Sequence, residues 1–333
     1  MHAARDLVVL RPEGLYCPAG GFHIDPWRPV PRAVITHGHG DHARGGMGEY
    51  HATVDSLPIL RWRLGAECTI HAHEYGARFL LGDARISLHS AGHVLGSAQV
   101  RIEVDGQTWV ASGDYKRQPD PTCAPFEVVP CDTFITEATF GLPVYRWPDT
   151  REVARDIVAW REACAARGEA AVLFCYALGK AQRLLAELRA HTDRSAWLHG
   201  AIDAGVQVYR ACGVPMLATQ RITDEQRGAD FAGELVLAPP SAAGSAWMRR
   251  FRRAQSGFAS GWMRVRGNRR RRNLDRGFVV SDHADWPDLL RTIRDTGARR
   301  VIATHGNTDA IVRALNELGI ATGIFATEYG AEE

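Results

Sequence analysis

Lysine is nearly absent from this 333-residue chain. Lys116 and Lys180 are the two, so almost all of its 40 basic residues are arginine. No apolar run approaches the ~18 residues a membrane-spanning helix needs, so no membrane association is expected. The stretch Met1–Gly14 lacks a long apolar core and a small-residue cleavage site. That argues against a signal peptide and for a cytoplasmic protein. No pair of cysteines has C-x-x-C spacing, and the seven cysteines are an odd number. Reduced thiols are expected, and disulfides and structural zinc fingers are disfavoured. With 45% hydrophobic and 23% charged residues, the chain has neither a disordered nor a coiled-coil composition. Its length corresponds to two domains at roughly 150 residues each.

The net charge of +2 is uninformative, but its distribution is not. Arg249–Arg276 holds eleven arginines against one acid, Asp275. The run Arg269, Arg270, Arg271 and Arg272 is its densest part. Such a block is either a solvated loop or a footprint for a phosphate-rich polymer. Phe251, Phe258 and Trp262 interleave with it, which favours stacking on single-stranded bases.

The first third is rich in short apolar runs broken by Gly, Pro and Asp, which predicts a mostly β region. Ala33–Thr36, Gln99–Val104, Trp109–Ser112 and Thr133–Thr136 read as strands. After Asp149 the texture becomes helical. Thr150–Arg167 and Lys180–His191 alternate with strand-like Ala171–Tyr176, Trp197–His199 and Glu234–Ala238, which predicts a parallel α/β layer. Phe278–Ser281 and Val301–Thr304 then read as strands, and Trp286–Thr296 and Asp309–Leu318 as helices.

The strongest chemical signal is Thr36-His37-Gly38-His39-Gly40-Asp41-His42. Four metal-competent side chains follow directly on an apolar strand. His37 and His39 can point one way off an extended segment, and Asp41 and His42 toward a second ion. His93 sits between glycines in Ala91-Gly92-His93-Val94-Leu95-Gly96. Asp114, directly after strand-like Trp109–Ala111, can bridge two ions through its two oxygens. Ions roughly 3.5–4 Å apart can share a hydroxide nucleophile and neutralise a phosphate. His71 and His73 form another H-x-H, but no Asp-His pair follows, so a packing role is expected. Lys180 stands at a predicted helix start, either solvated or facing nucleic acid. Tyr115 and Lys116 follow Asp114 and can reach a phosphate.

The H-x-H-x-D-H run, the downstream Gly-His and the Gly-Asp together resemble the metallo-β-lactamase superfamily. Four further strings narrow the resemblance to the β-CASP nucleases. They are Thr136-Glu137-Ala138-Thr139, Ala177-Leu178-Gly179-Lys180-Ala181-Gln182, Ser281-Asp282-His283-Ala284 and Thr304-His305-Gly306. In length and texture the chain looks most like the bacterial ligase-associated DNA exonucleases. The resemblance implies an αββα sandwich from residues 1–148 and 276–333, capped by an α/β insert at 149–275, with a metal-lined cleft between. It implies two divalent ions, zinc or manganese. His37, His39 and His93 would bind one, Asp41, His42 and His305 the other, and Asp114 both. Asp25 would brace the histidine loop. Glu137 would orient His283, which would stabilise the phosphate or protonate the leaving oxygen. The implied activity is DNA hydrolysis in repair, with a DNA ligase as functional partner. His305 favours RNA instead, because the DNA-cleaving branch of the group carries valine there. A non-catalytic nucleic-acid-binding subunit is the reading from another class, and the intact ligand set argues against it.

Overall fold

The computed structural model describes residues 6–226, 228–265, 267–268 and 274–328. The chain divides into two compact units, Met1–Pro143 with His283–Glu333, and Val144–Asp282.

Two sheets make the first unit. One has the order β1 (Val9–Arg11), β2 (Gly14–Cys17), β3 (Phe22–Ile24), β4 (Arg32–Val34), β5 (Glu49–Thr53) and β6 (Ile70–His73). The other contains an antiparallel meander of β7 (Arg78–Leu81), β8 (Ala84–Ser90), β9 (Ala98–Val104) and β10 (Gln107–Ala111). It continues in parallel through β11 (Thr133–Ala138), β18 (Arg300–Gly306) and β19 (Ala321–Ile324). Side chains alternate across a strand, so each sheet has two faces to cover. Leu15, Phe22 and Ile24 of the first sheet meet Ile86, Val100 and Ile102 of the second in one buried cluster. The outer face of the first sheet, with Ala33, Tyr50 and Ala52, packs on Leu60 of α1 (Leu57–Leu64). The outer face of the second, with Val110, Phe134 and Val301, is covered by α5 (Trp286–Thr296) and α6 (Thr308–Glu317) through Leu289, Ile293, Ile311 and Leu315. The layers run helix, sheet, sheet, helix, consistent with the metallo-β-lactamase-like fold the motifs imply. Helix α1 was not legible in a segment read as mostly β.

The second unit is built on a parallel sheet. Its order is β14 (Thr219–Arg221), β13 (Ala196–Leu198), β15 (Leu235–Ala238), β12 (Ala170–Phe174), β16 (Ala254–Ala259) and β17 (Arg276–Phe278). The central strands β12 and β15 are buried along their whole length, as sheets covered on both faces require. Helices α2 (Thr150–Ala165), α3 (Lys180–Leu188) and α4 (Gly200–Ala211) supply Ile157, Leu184, Leu188 and Val206 to one face. The Asp149 side chain accepts from the Arg151 N–H and starts α2, as its sequence position implies.

Two expectations change here. Phe278 and Val280, read as the start of the returning core, pack in the second unit's own cluster, and that unit ends at Asp282. Phe251 and Phe258, read as candidates for base stacking, are buried. Phe251 packs on Phe231 and Trp247, and Phe258 lies in the same apolar cluster with Trp262 against it. The burial of these rings in a core outweighs the charge around them in sequence. Arg269, Arg270, Arg271 and Arg272 lie outside the described residues.

Candidate metal centre

The candidate residues of the first unit come together where strands end. The Thr36–His42 loop leaves the end of β4, His93 lies in the turn between β8 and β9, and Asp114 follows β10. Glu137 lies on β11 beside a register shift between Thr136 and Ala138, His305 lies on β18, and His283 precedes α5. Two glycines let these segments approach. A Cβ on Gly113 (φ +55°) would stand 2.6 Å from Thr36, and one on Gly306 (φ +94°) 2.2 Å from the Ala138 carbonyl oxygen.

Asp114 is the hub. The Nε2 atoms of His37 and His93 lie 3.5 and 3.9 Å from its Oδ2, and each lies 3.1 Å from His39 Nδ1. His42 Nε2 stands 3.4 Å from the same Oδ2 and 3.7 Å from Asp41 Oδ2. His305 Nε2 stands 3.2 Å from Asp114 Oδ1. One carboxylate therefore gathers four imidazoles, and His37, His39, His93 and Asp114 each bring a ligand atom within 4.8 Å of the others. Ligand atoms 2.0–2.1 Å from a common tetrahedral zinc stand roughly 3.3 Å apart, which the separations from Asp114 approach. Both oxygens of the buried Asp114 thus face imidazole nitrogens. A buried carboxylate ringed by imidazole nitrogens is a donor set that divalent cations accept.

The surroundings set the orientation of the ligands. Asp25 accepts from the Thr36 N–H (2.7 Å) and hydroxyl (2.5 Å), and its Oδ2 lies 2.7 Å from His42 Nδ1. Asp25 therefore braces the loop from behind, at a strained φ of +43°. Thr36 Oγ1 also lies 3.0 Å from His37 Nδ1, and Thr304 Oγ1 lies 3.2 Å from His305 Nδ1. In both Thr-His-Gly triplets the hydroxyl holds Nδ1 and turns Nε2 inward. The sequence reading missed the two threonines, although the repeated triplet marks them.

Electrostatics follow from burial and proximity. Burial, then His42, holds His37 well below the usual imidazole pKa, the neutral state a ligand needs. Burial opposes charge on His42, but Asp114 and Asp25 raise it to about 10. Burial also opposes charge on Asp114, yet His42, His283 and His305 hold it well below the carboxylate range.

Beside this centre, His283 Nδ1 lies 2.8 Å from Glu137 Oε2. Glu137 accepts in addition from the Tyr115 N–H (2.9 Å) and the Thr139 hydroxyl (2.6 Å). Thr139 is a further residue that sequence reasoning passed over. One atom each from Asp114, Glu137 and His283 lies within 4.8 Å of the others.

Other expected contacts fall elsewhere. Lys180 is buried in the second unit, its Nζ 2.8 Å from Asp282 Oδ2, and is not solvated. Tyr115 and Lys116 are buried too, and Lys116 pairs with Asp120.

No protein-family profile matches the chain. It is 31% identical over 316 residues to a probable DNA ligase of Opitutus terrae, a match covering 92% of this chain and 30% of that protein. It is 26% identical to an RNase J-like protein of Methanocaldococcus jannaschii, over 47% of this chain and 43% of the relative. It is 29% identical to a ribonuclease of Thermus thermophilus, over 52% and 46%. The chain thus spans less than half the length of these curated relatives. By name, these relatives are a probable DNA ligase, an RNase J-like protein and a ribonuclease. A solved protein of unknown function from Enterococcus faecalis shares the fold, with a TM-score of 0.61 at 11% identity, covering 90% of this chain and 80% of that one.

Proposed function

We propose that this chain is a metal-dependent phosphodiesterase that hydrolyses nucleic acid, and that its substrate is DNA. The observation carrying the reading is the buried carboxylate Asp114, with four imidazole nitrogens within 4 Å of it and the His283–Glu137 pair alongside. His37, His39 and His93 would hold one divalent ion, zinc by donor type, and Asp41, His42 and His305 the other. Bound there, the ions would activate water and neutralise phosphate charge. His283, oriented by Glu137, would hold a proton at Nε2 for the leaving oxygen or donate a hydrogen bond to the phosphate. Asp25, Thr36 and Thr304 would keep the ligating rings in place. In this reading the first unit is the metallo-β-lactamase core and the second the β-CASP-like cap.

Exonuclease action in DNA repair alongside a ligase is the favoured biology, supported by similarity over 92% of the chain to a probable DNA ligase. RNA cleavage is the second reading, supported by His305 in the last motif and by the ribonuclease names of other relatives. The deciding experiment is cleavage by zinc- or manganese-loaded protein of end-labelled single- and double-stranded DNA and matched RNA. Shortening of DNA from one end, with RNA intact, fits the first reading. Cleavage of RNA alone replaces it with the second, and no cleavage of either polymer by folded, metal-loaded protein refutes both.

A further inference from the structure

A separate group of imidazoles lies on the first sheet. Strands β5 and β6 are parallel, with His51 opposite His71 and Thr53 opposite His73. Side chains alternate, so Glu49 and His51 share a face of β5, and His71 and His73 share a face of β6. The His51 and His71 rings stack with centroids 4.8 Å apart. His71 Nε2 stands 3.4 Å from Glu49 Oε2, and His51 Nε2 stands 3.7 Å from Glu49 Oε1. One ligand atom from each of the three lies within 4.8 Å of the others. His51 is 6% exposed, and its Nε2 is buried with no hydrogen-bond partner.

We propose that Glu49, His51 and His71 form an additional divalent-cation site of zinc type, separate from the Asp114 centre. The 3.4 Å from His71 Nε2 to Glu49 Oε2 approaches the roughly 3.3 Å between ligands of one tetrahedral zinc, and His51 brings a third ligand atom within 4.8 Å of the other two. Two imidazoles and a carboxylate are donors that zinc accepts. His73 supplies the outer support. Its Nε2 lies 3.1 Å from His51 Nδ1, and with the His51 Nδ1–H donating to it the Nε2 lone pair of His51 would face the ion. Phe79 stacks on His73 at 3.6 Å and fixes that ring. Arg32 donates to Glu49 Oε1 and leaves Oε2 for coordination. His71 is exposed and opens the site to solvent. Strand β6 ends this sheet's order, and the ion would stitch it to β5.

The test is isothermal titration of chelator-treated full-length protein with zinc, with bound zinc counted by mass spectrometry after gel filtration. His71→Ala, at an exposed position, should bind one zinc fewer than wild type. Its zinc-dependent rise in melting temperature should shrink accordingly. Glu49→Gln keeps an acceptor for Arg32 and should lose the same equivalent. An identical zinc count in wild type and His71→Ala overturns the site. An unchanged count in Glu49→Gln overturns the carboxylate's part in it. Asp114→Ala removes its own equivalents, so failure of the dinuclear reading would show in that variant and leave the His71→Ala difference intact.

Discussion

At the scale of single residues, Asp114 carries the largest consequence. It is 5% exposed and within 4 Å of four imidazole nitrogens. Asp114→Ala should abolish hydrolysis and lower the bound-metal count. Nucleic-acid affinity should largely persist, because contacts to phosphate elsewhere position a strand. Folded Asp114→Ala with near-wild-type turnover in a nuclease assay would remove this residue from the mechanism. His283 makes the opposite prediction about metal. Its Nδ1 is engaged by Glu137, and the proposed mechanism has it carry a proton rather than bind an ion. His283→Ala should lose about 10²–10⁴-fold in rate, the range of general acid–base catalysis, and keep every ion. Elemental analysis of that variant decides the matter, since loss of an ion would move His283 into the coordination sphere. The threonines give a finer test. Thr36→Val keeps shape but removes the hydroxyl shared by Asp25 and His37 Nδ1. Zinc affinity should fall about 10–100-fold, as for other outer partners of metal ligands, readable by competition with a chromophoric chelator. The residues closing the centre were legible because ligand chemistry admits few residue types. Thr36 and Thr304 were not, because a threonine has many uses and its role here depends on which way one ring turns.

At the scale of elements, the helices and strands with strong periodicity lie close to where the sequence puts them. Helix α5 spans Trp286–Thr296 as read, and its Asp285 cap accepts from the Asp288 N–H. Helix α3 begins at Lys180 as read, but its environment was not legible. Lys180 and Arg183 are both buried, and both face Asp282, about one hundred residues away. A lysine at a helix start reads as solvated, since an unpaired buried ammonium is prohibitively costly. Only the distant carboxylate reverses that rule. Arg183 adds bonds to the Ser281 carbonyl (2.6 Å) and the Thr150 hydroxyl (2.5 Å), tying α3 to α2 and to the segment before His283. Breaking such a pair leaves uncompensated buried charge. Asp282→Ala should therefore destabilise the protein by about 3–5 kcal/mol, measured by urea denaturation. Lys180→Met should cost less, because Asp282 keeps Arg183 and the methionine fills the same space. A milder loss in Asp282→Ala than in Lys180→Met would show that the carboxylate does not organise this core.

At the scale of the whole molecule, the 38 acids and 40 bases nearly cancel, so any attraction for a polyanion must come from uneven placement. The Arg249–Arg276 block is the largest such unevenness. Its apolar members proved structural, with Phe251 and Phe258 inside the second unit, and the base-stacking argument loses those two rings. The arginines behave differently. Arg249, Arg252, Arg253, Arg264 and Arg276 are exposed. Of these, Arg253 meets an acid only at 3.5 Å, from Glu169. Exposed guanidinium groups of this kind offer planar donor pairs to phosphate. Changing Arg249, Arg252 and Arg253 together to alanine should weaken nucleic-acid binding to all sequences alike. The slope of log affinity against log salt should flatten by about 0.9 per lost contact on duplex DNA, or about 0.7 on single strands. Turnover at saturating substrate should change far less, because none of the three belongs to the metal centre. Stability should also hold, since surface changes of this kind stay within roughly 0.5 kcal/mol. Fluorescence anisotropy with a labelled oligonucleotide, repeated over a salt series, measures both affinity and slope. Unchanged affinity and an unchanged slope would make the block a solubilising surface and assign the polyanion's path to other residues.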